Sequence, residues 1–170
     1  MPKLYLVRHA EPAITGVLLG RSDPPLSARG REQARAATLN VRAVYTSPLR
    51  RARETAEIMA PSAAIEVLPD LIEISHGEWN GKTWTAIERD YPEIAAQKEK
   101  DWFGAAAPGG EDWDTFIARV DAAFERVKQG PFPAAVVAHF AVNARIAQRL
   151  RGIHPLQFTQ GYCEPLAYEI

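Results

Sequence analysis

Lys3-Leu4-Tyr5-Leu6-Val7-Arg8-His9-Ala10-Glu11 begins as a short apolar run and gives out at a basic pair. Such a run, bounded by polar residues, reads as a buried strand, here Lys3 to Arg8. A second run of the same kind, Ala134-Ala135-Val136-Val137-Ala138-His139, also ends in a histidine. A histidine at a strand end can act as a nucleophile, and an arginine beside it can hold an anion.

Working outward, Glu11 to Pro25 is rich in Gly and Pro and reads as a long loop. Ser27 is placed to cap a helix running to about Leu39. Ala43 to Thr46 is a second strand, and Pro48 suits the first turn of a helix through Met59. Ile65 to Leu68 is a third strand candidate. Ile72 to Gly81 is irregular, and helices are expected over Thr85–Asp90 and Pro92–Lys100. Trp113, Phe116, Ile117, Val120, Phe124 and Val127 recur at helical spacing and mark an amphipathic helix. A helix from about Val142 to Leu150 should end near Gly152. Leu166 to Ile170 reads as a last strand, at an edge because Pro165 cannot donate a ladder hydrogen bond. Strands alternating with helices predict an α/β protein, a three-layer αβα arrangement around a mainly parallel central sheet. In such sheets ligands bind beyond the carboxyl ends of the strands, where His9 and His139 both fall.

The 170 residues fit one domain, 1–170. Net charge is −1, which gives no reason to expect a nucleic-acid or membrane partner. The single cysteine, Cys163, excludes an internal disulfide and reads as a small buried hydrophobe. The N-terminal apolar run is too short for a signal peptide, and no membrane-length apolar stretch follows. A cytoplasmic protein is the expectation. No two histidines have close ligand spacing, so neither a metal nor another cofactor is expected. Oligomeric state is not legible.

The clustered charges suggest chemistry. Phosphoryl transfer needs a nucleophile, cations around the equatorial oxygens and a proton for the leaving oxygen. Arg8-His9 supplies the first two. Thr46-Ser47-Pro48-Leu49-Arg50-Arg51-Ala52-Arg53-Glu54-Thr55-Ala56 supplies an arginine cluster, although a solvated helix face has the same composition. Leu71-Ile72-Glu73-Ile74-Ser75-His76-Gly77-Glu78-Trp79-Asn80-Gly81 supplies two candidate acids, Glu73 and Glu78. His139 is a further donor if protonated.

In these segments, and in their order, the chain resembles the histidine phosphatase superfamily, the phosphoglycerate-mutase-like enzymes. The family's D-x-P-L-S-x-x-G-x-x-Q-A pattern is matched by Asp23 to Ala34. Its T-S-x-L-x-R-A-x-x-T-A pattern is matched by residues 46–56, and its L-x-E-x-x-x-G-x-W-x-G pattern by residues 71–81. Pro108-Gly109-Gly110-Glu111 matches a fourth. The resemblance selects Arg51 over Arg50 and Glu73 over Glu78. It implies a metal-independent phosphatase acting on a small anionic phosphomonoester. His9 would become phosphohistidine, Arg8, Arg51 and His139 would hold the phosphoryl oxygens, and Glu73 would be acid and then base. A phosphoglycerate-type mutase and a non-catalytic phospho-ligand binding domain are the alternatives. A protein-phosphohistidine phosphatase is disfavoured, because the shortest relatives lack the Glu73 segment.

Two positions depart from the family pattern. Ala10 replaces a glycine, at a cost of about 1 kcal/mol if the site needs φ > 0. Phe140 replaces the glycine after the second histidine and puts bulk near the site. The short chain leaves little room for the segments that cover a mutase site, and an open site favours hydrolysis. Arg21, in the loop after the nucleophile, is a candidate contact for the non-transferred part of the substrate. His76 and His154 are assigned to surface and structural roles, and Trp79, Trp84 and Trp102 to packing.

Overall fold

A computed structural model describes residues 1–170. In chain order it contains β1 (Lys3–Arg8), α1 (Ala28–Ala36), β2 (Ala43–Thr46), α2 (Arg50–Met59) and β3 (Ala64–Val67). Then come α3 (Trp84–Asp90), α4 (Pro92–Lys100), α5 (Trp113–Lys128), β4 (Ala134–Ala138), α6 (Phe140–Arg151) and β5 (Pro165–Glu169). The strands form one sheet in the order β3-β2-β4-β1-β5. Only β5 is antiparallel, pairing Pro165 with Val7 at the sheet edge where a missing N–H is tolerated. β1 and β4 are parallel neighbours with Arg8 opposite Ala138, so His9 and His139 leave the sheet side by side.

Alternation along the strands divides the core. Leu4, Leu6, Tyr45 and Val136 face α5 and α6, in a cluster with Phe116, Val120, Val142 and Ile146. Val7, Val44 and Val137 face the other way, toward Ala34, Ala52, Ala56 and Met59 of α1 and α2. The three-layer αβα architecture follows. A third, small cluster of Trp79, Ile87, Ala95 and Ala107 holds α3 and α4 together.

Element ends differ from expectation where side chains outside the helix intervene. Pro48 lies before α2 instead of in its first turn. The Oγ of Ser47 accepts from the Leu49 N–H, and the Asp23 carboxylate caps the Arg50 N–H at 2.7 Å, so the helix starts at Arg50. α6 starts at Phe140 directly after the strand-end histidine, two residues earlier than expected, and ends at a left-handed Gly152. α1 ends at Ala36, short of Leu39, while Ser27 caps it as expected through Gly30 N–H. Gly30 is required, because a Cβ there would collide with the Glu11 carbonyl.

Candidate active site

β1 and β4 deliver their two histidines to one place. The His9 and His139 ring centroids are 5.3 Å apart, and the His9 N–H donates to the Ala138 carbonyl at 2.9 Å. His9 Nδ1 lies 2.7 Å from the Ala10 carbonyl oxygen, which can only accept, so Nδ1 carries the proton. Nε2 is therefore the unprotonated nitrogen. Burial first, and then the Arg51 charge, push the His9 pKa down to about 3, which keeps that lone pair free of a proton.

Arg51, on the first turn of α2, reaches under this ring. Its Nε donates to His9 Nε2 at 3.3 Å, and its terminal nitrogens donate to the Ser22 and Gly20 carbonyls. Three of the roughly five guanidinium donors are engaged, leaving two. Arg50 is exposed and pairs with Glu54, and Arg53 is exposed too, so Arg51 is the one arginine of the cluster that is buried at this place. Arg8 is held differently. Its guanidinium carbon sits 4.4 Å from the Tyr162 ring centroid and 5.8 Å from that of Phe140, and one nitrogen donates to the Gln160 carbonyl. Its Nε is buried and has no partner. A half-buried guanidinium with free donors beside a neutral imidazole suits an anion.

Glu73 faces these groups from the irregular segment after β3. Burial raises its carboxyl pKa above the ordinary value, against the lowering effects of the Ile74 N–H bond and of Arg51, Arg119 and Arg8. Its rival Glu78 is exposed and accepts from Tyr91 Oη at 2.9 Å. Arg119 of α5 pins the Glu73 segment. It donates to the Asp70 and Ile72 carbonyls at 2.7 Å and to both carboxylate oxygens of Glu111. Gly77, at φ 53°, lets the same segment pack on residues 108–110, where a Cβ would strike backbone.

Arg8, His9, Arg51 and Glu73 line one cavity of about 140 Å³, closed by the Ile14–Gly20 loop, His76, Phe140 and Tyr162. His139 and Arg21 do not line it. His139 is fully buried behind His9, with Nε2 2.7 Å from Ser47 Oγ and Nδ1 unpartnered. Burial, then the charges of His9, Arg51 and Arg8, hold it neutral, so it is not the cation that the strand-end position suggested. Arg21 is exposed and ties the loop to the Glu73 carbonyl and to Glu111. His76 lies on the cavity wall instead of the surface, with its pKa pushed down to about 4 by burial and by Lys98.

The feared strain at Ala10 is absent. Cys163 is the one non-glycine residue with positive φ. Ala10 is buried, and its N–H donates to Thr55 Oγ1, which in turn donates to the Arg51 carbonyl. Tyr162, Gln160 and Arg119 carry no signal in the sequence, whereas Thr55 is the second threonine of the pattern matched by residues 46–56.

An unprotonated histidine, two arginines and a carboxyl with raised pKa thus share one cavity. A family model of the histidine phosphatase superfamily (branch 1) matches residues 4–169, and the chain belongs to that family. Among its relatives, phosphoserine phosphatase 1 of Hydrogenobacter thermophilus is 30% identical over 100% of this chain and 86% of its own length. The adenosylcobalamin/alpha-ribazole phosphatase of Escherichia coli is 28% identical over 89% of this chain and 80% of its own. The crystal structure of a putative alpha-ribazole-5'-P phosphatase from Escherichia coli superposes with a TM-score of 0.80 at 27% identity, covering 91% of this chain and 82% of that one. Family and relatives together indicate an enzyme of the phosphatase or mutase type.

Proposed function

We propose that the protein hydrolyses a small phosphomonoester through a phosphohistidine on His9. The observation that carries this is the His9 Nδ1 contact with the Ala10 carbonyl, which leaves Nε2 unprotonated toward Arg51 and the cavity. The phosphoryl group binds against Arg8 and Arg51, while His139 stands behind His9 outside the cavity. Nε2 attacks phosphorus, the bond to the leaving oxygen breaks, and the Glu73 proton passes to that oxygen. Glu73, now a carboxylate, takes a proton from water. The water oxygen attacks phosphorus, the P–N bond breaks, and the lone pair returns to Nε2.

The cations in this scheme are arginines, so EDTA should leave the rate unchanged. Entry of water favours free phosphate over an isomerised product. A cytoplasmic setting, with its small phosphorylated metabolites, suits this reading. His9→Ala should lower turnover of p-nitrophenyl phosphate by more than about a thousandfold. A variant that keeps wild-type turnover would remove the nucleophile from the scheme.

A further inference from the structure

In an in-line displacement the leaving group departs on the side opposite the nucleophile. Here that is the side of Glu73. A second cavity, of about 150 Å³, opens on that side and shares Glu73, His76 and Phe140 with the first. Trp102, Phe103 and Phe140 give it an aromatic wall. A third cavity, of about 260 Å³, continues along the same three rings to Phe158 and the exposed Leu156. Phe140 therefore lines all three cavities in turn, a path from the phosphoryl site toward the surface.

The one cation on this path is already committed. Lys98, buried at 3% exposure, donates to the Ala105 carbonyl at 2.7 Å and lies 4.9 Å from the Trp102 ring centroid. It braces the wall, and apart from Glu73 and His76, which are shared with the phosphoryl site, the rest of the path is apolar. The rings are themselves fixed by neighbours: Phe140 against Phe158, Phe103 against Trp113, and Trp102 against Trp84. Flat, rigid apolar walls favour a flat apolar occupant.

We infer that this path is a leaving-group subsite, and that the enzyme prefers phosphomonoesters whose alcohol carries a planar, apolar ring system over small polar aliphatic ones. The inference rests on the phosphatase reading only for the direction in which the leaving group departs. Non-hydrolysable phosphonates test it without turnover. By calorimetry, 1-naphthylmethylphosphonate should bind at least about tenfold more tightly than methylphosphonate, the gain expected from burying an aromatic group. Trp102→Ala should shrink that ratio severalfold. Leu156→Ser, at the exposed outer rim, should shrink it less, with no risk to folding. Equal affinity of the two phosphonates for the wild-type protein would overturn the subsite, as would an unchanged ratio in Trp102→Ala. If the ratio holds but His9→Ala still hydrolyses substrate, the subsite stands and the phosphohistidine scheme falls.

Discussion

His9 and Glu73 are driven off their ordinary titration ranges by the same cause, acting with opposite sign on a base and an acid. Burial disfavours whichever form is charged, so the imidazole loses its proton and the carboxyl keeps one. These are the states that the proposed first step requires of a nucleophile and a general acid. With His9 at about 3, its protonation should not limit the rate near neutrality. The alkaline limb of the pH profile should instead report Glu73, at a value above the ordinary carboxylate range. Glu73→Gln should abolish that limb and cut turnover of alkyl phosphates about 10²–10⁴-fold. Turnover of p-nitrophenyl phosphate should fall much less, since nitrophenolate departs without a proton. Equal losses on both substrates, measured side by side, would deny Glu73 the acid role.

Among the elements, α5 has a function beyond its apolar stripe. Arg119 projects from it to hold the carbonyls of Asp70, Ile72 and Glu73 together with Glu111, and so fixes the irregular segment that carries Glu73. The Arg119 and Glu111 side chains are only 14% and 9% exposed. Arg119→Met would leave the Glu111 carboxylate with only Arg21 and the Ser75 N–H and should cost about 1–3 kcal/mol in urea unfolding. It should also lower kcat while leaving inhibition by phosphate, which depends on Arg8 and Arg51, nearly unchanged. A destabilised variant with full kcat would make Arg119 purely structural. This element also shows where sequence reading stops. The strand-end histidines are visible as the ends of apolar runs, whereas Arg51 and Glu73 are distinguished from their neighbours only by the family resemblance. Arg119, Tyr162 and Gln160 act through contacts across the fold, which no local period encodes. His76 was misplaced for a related reason. Groups distant in the sequence, Gly20 and Lys98 among them, surround it.

At the scale of the whole molecule, three of the four histidines are held neutral: His9 at about 3, His76 at about 4, and His139 well below 6.5. Unfolding restores them to near 6.5, so below that pH the unfolded chain binds more protons and stability falls. For His76 the loss levels off near pH 4. Each histidine adds a slope of about 1.4 kcal/mol per pH unit within its window. Glu73 opposes them, because its folded carboxyl holds a proton above the unfolded value and its stabilising share fades as pH rises. Three groups outweigh one, so the urea midpoint should be lower at pH 5 than at pH 7. His76→Asn should narrow that gap, and a midpoint independent of pH would show that the histidines are not kept neutral by the fold. The position of β1 carries a further consequence. Its two neighbours, β4 and β5, both come from far along the chain, and the Cys163 N–H bonds back to the Arg8 carbonyl at 2.8 Å. Closing loops of that length is slow, since the ordering cost precedes the contacts that offset it. The anion cradle is thus among the last parts to assemble during folding, and a chain with its helices already formed would still be unable to hold phosphate.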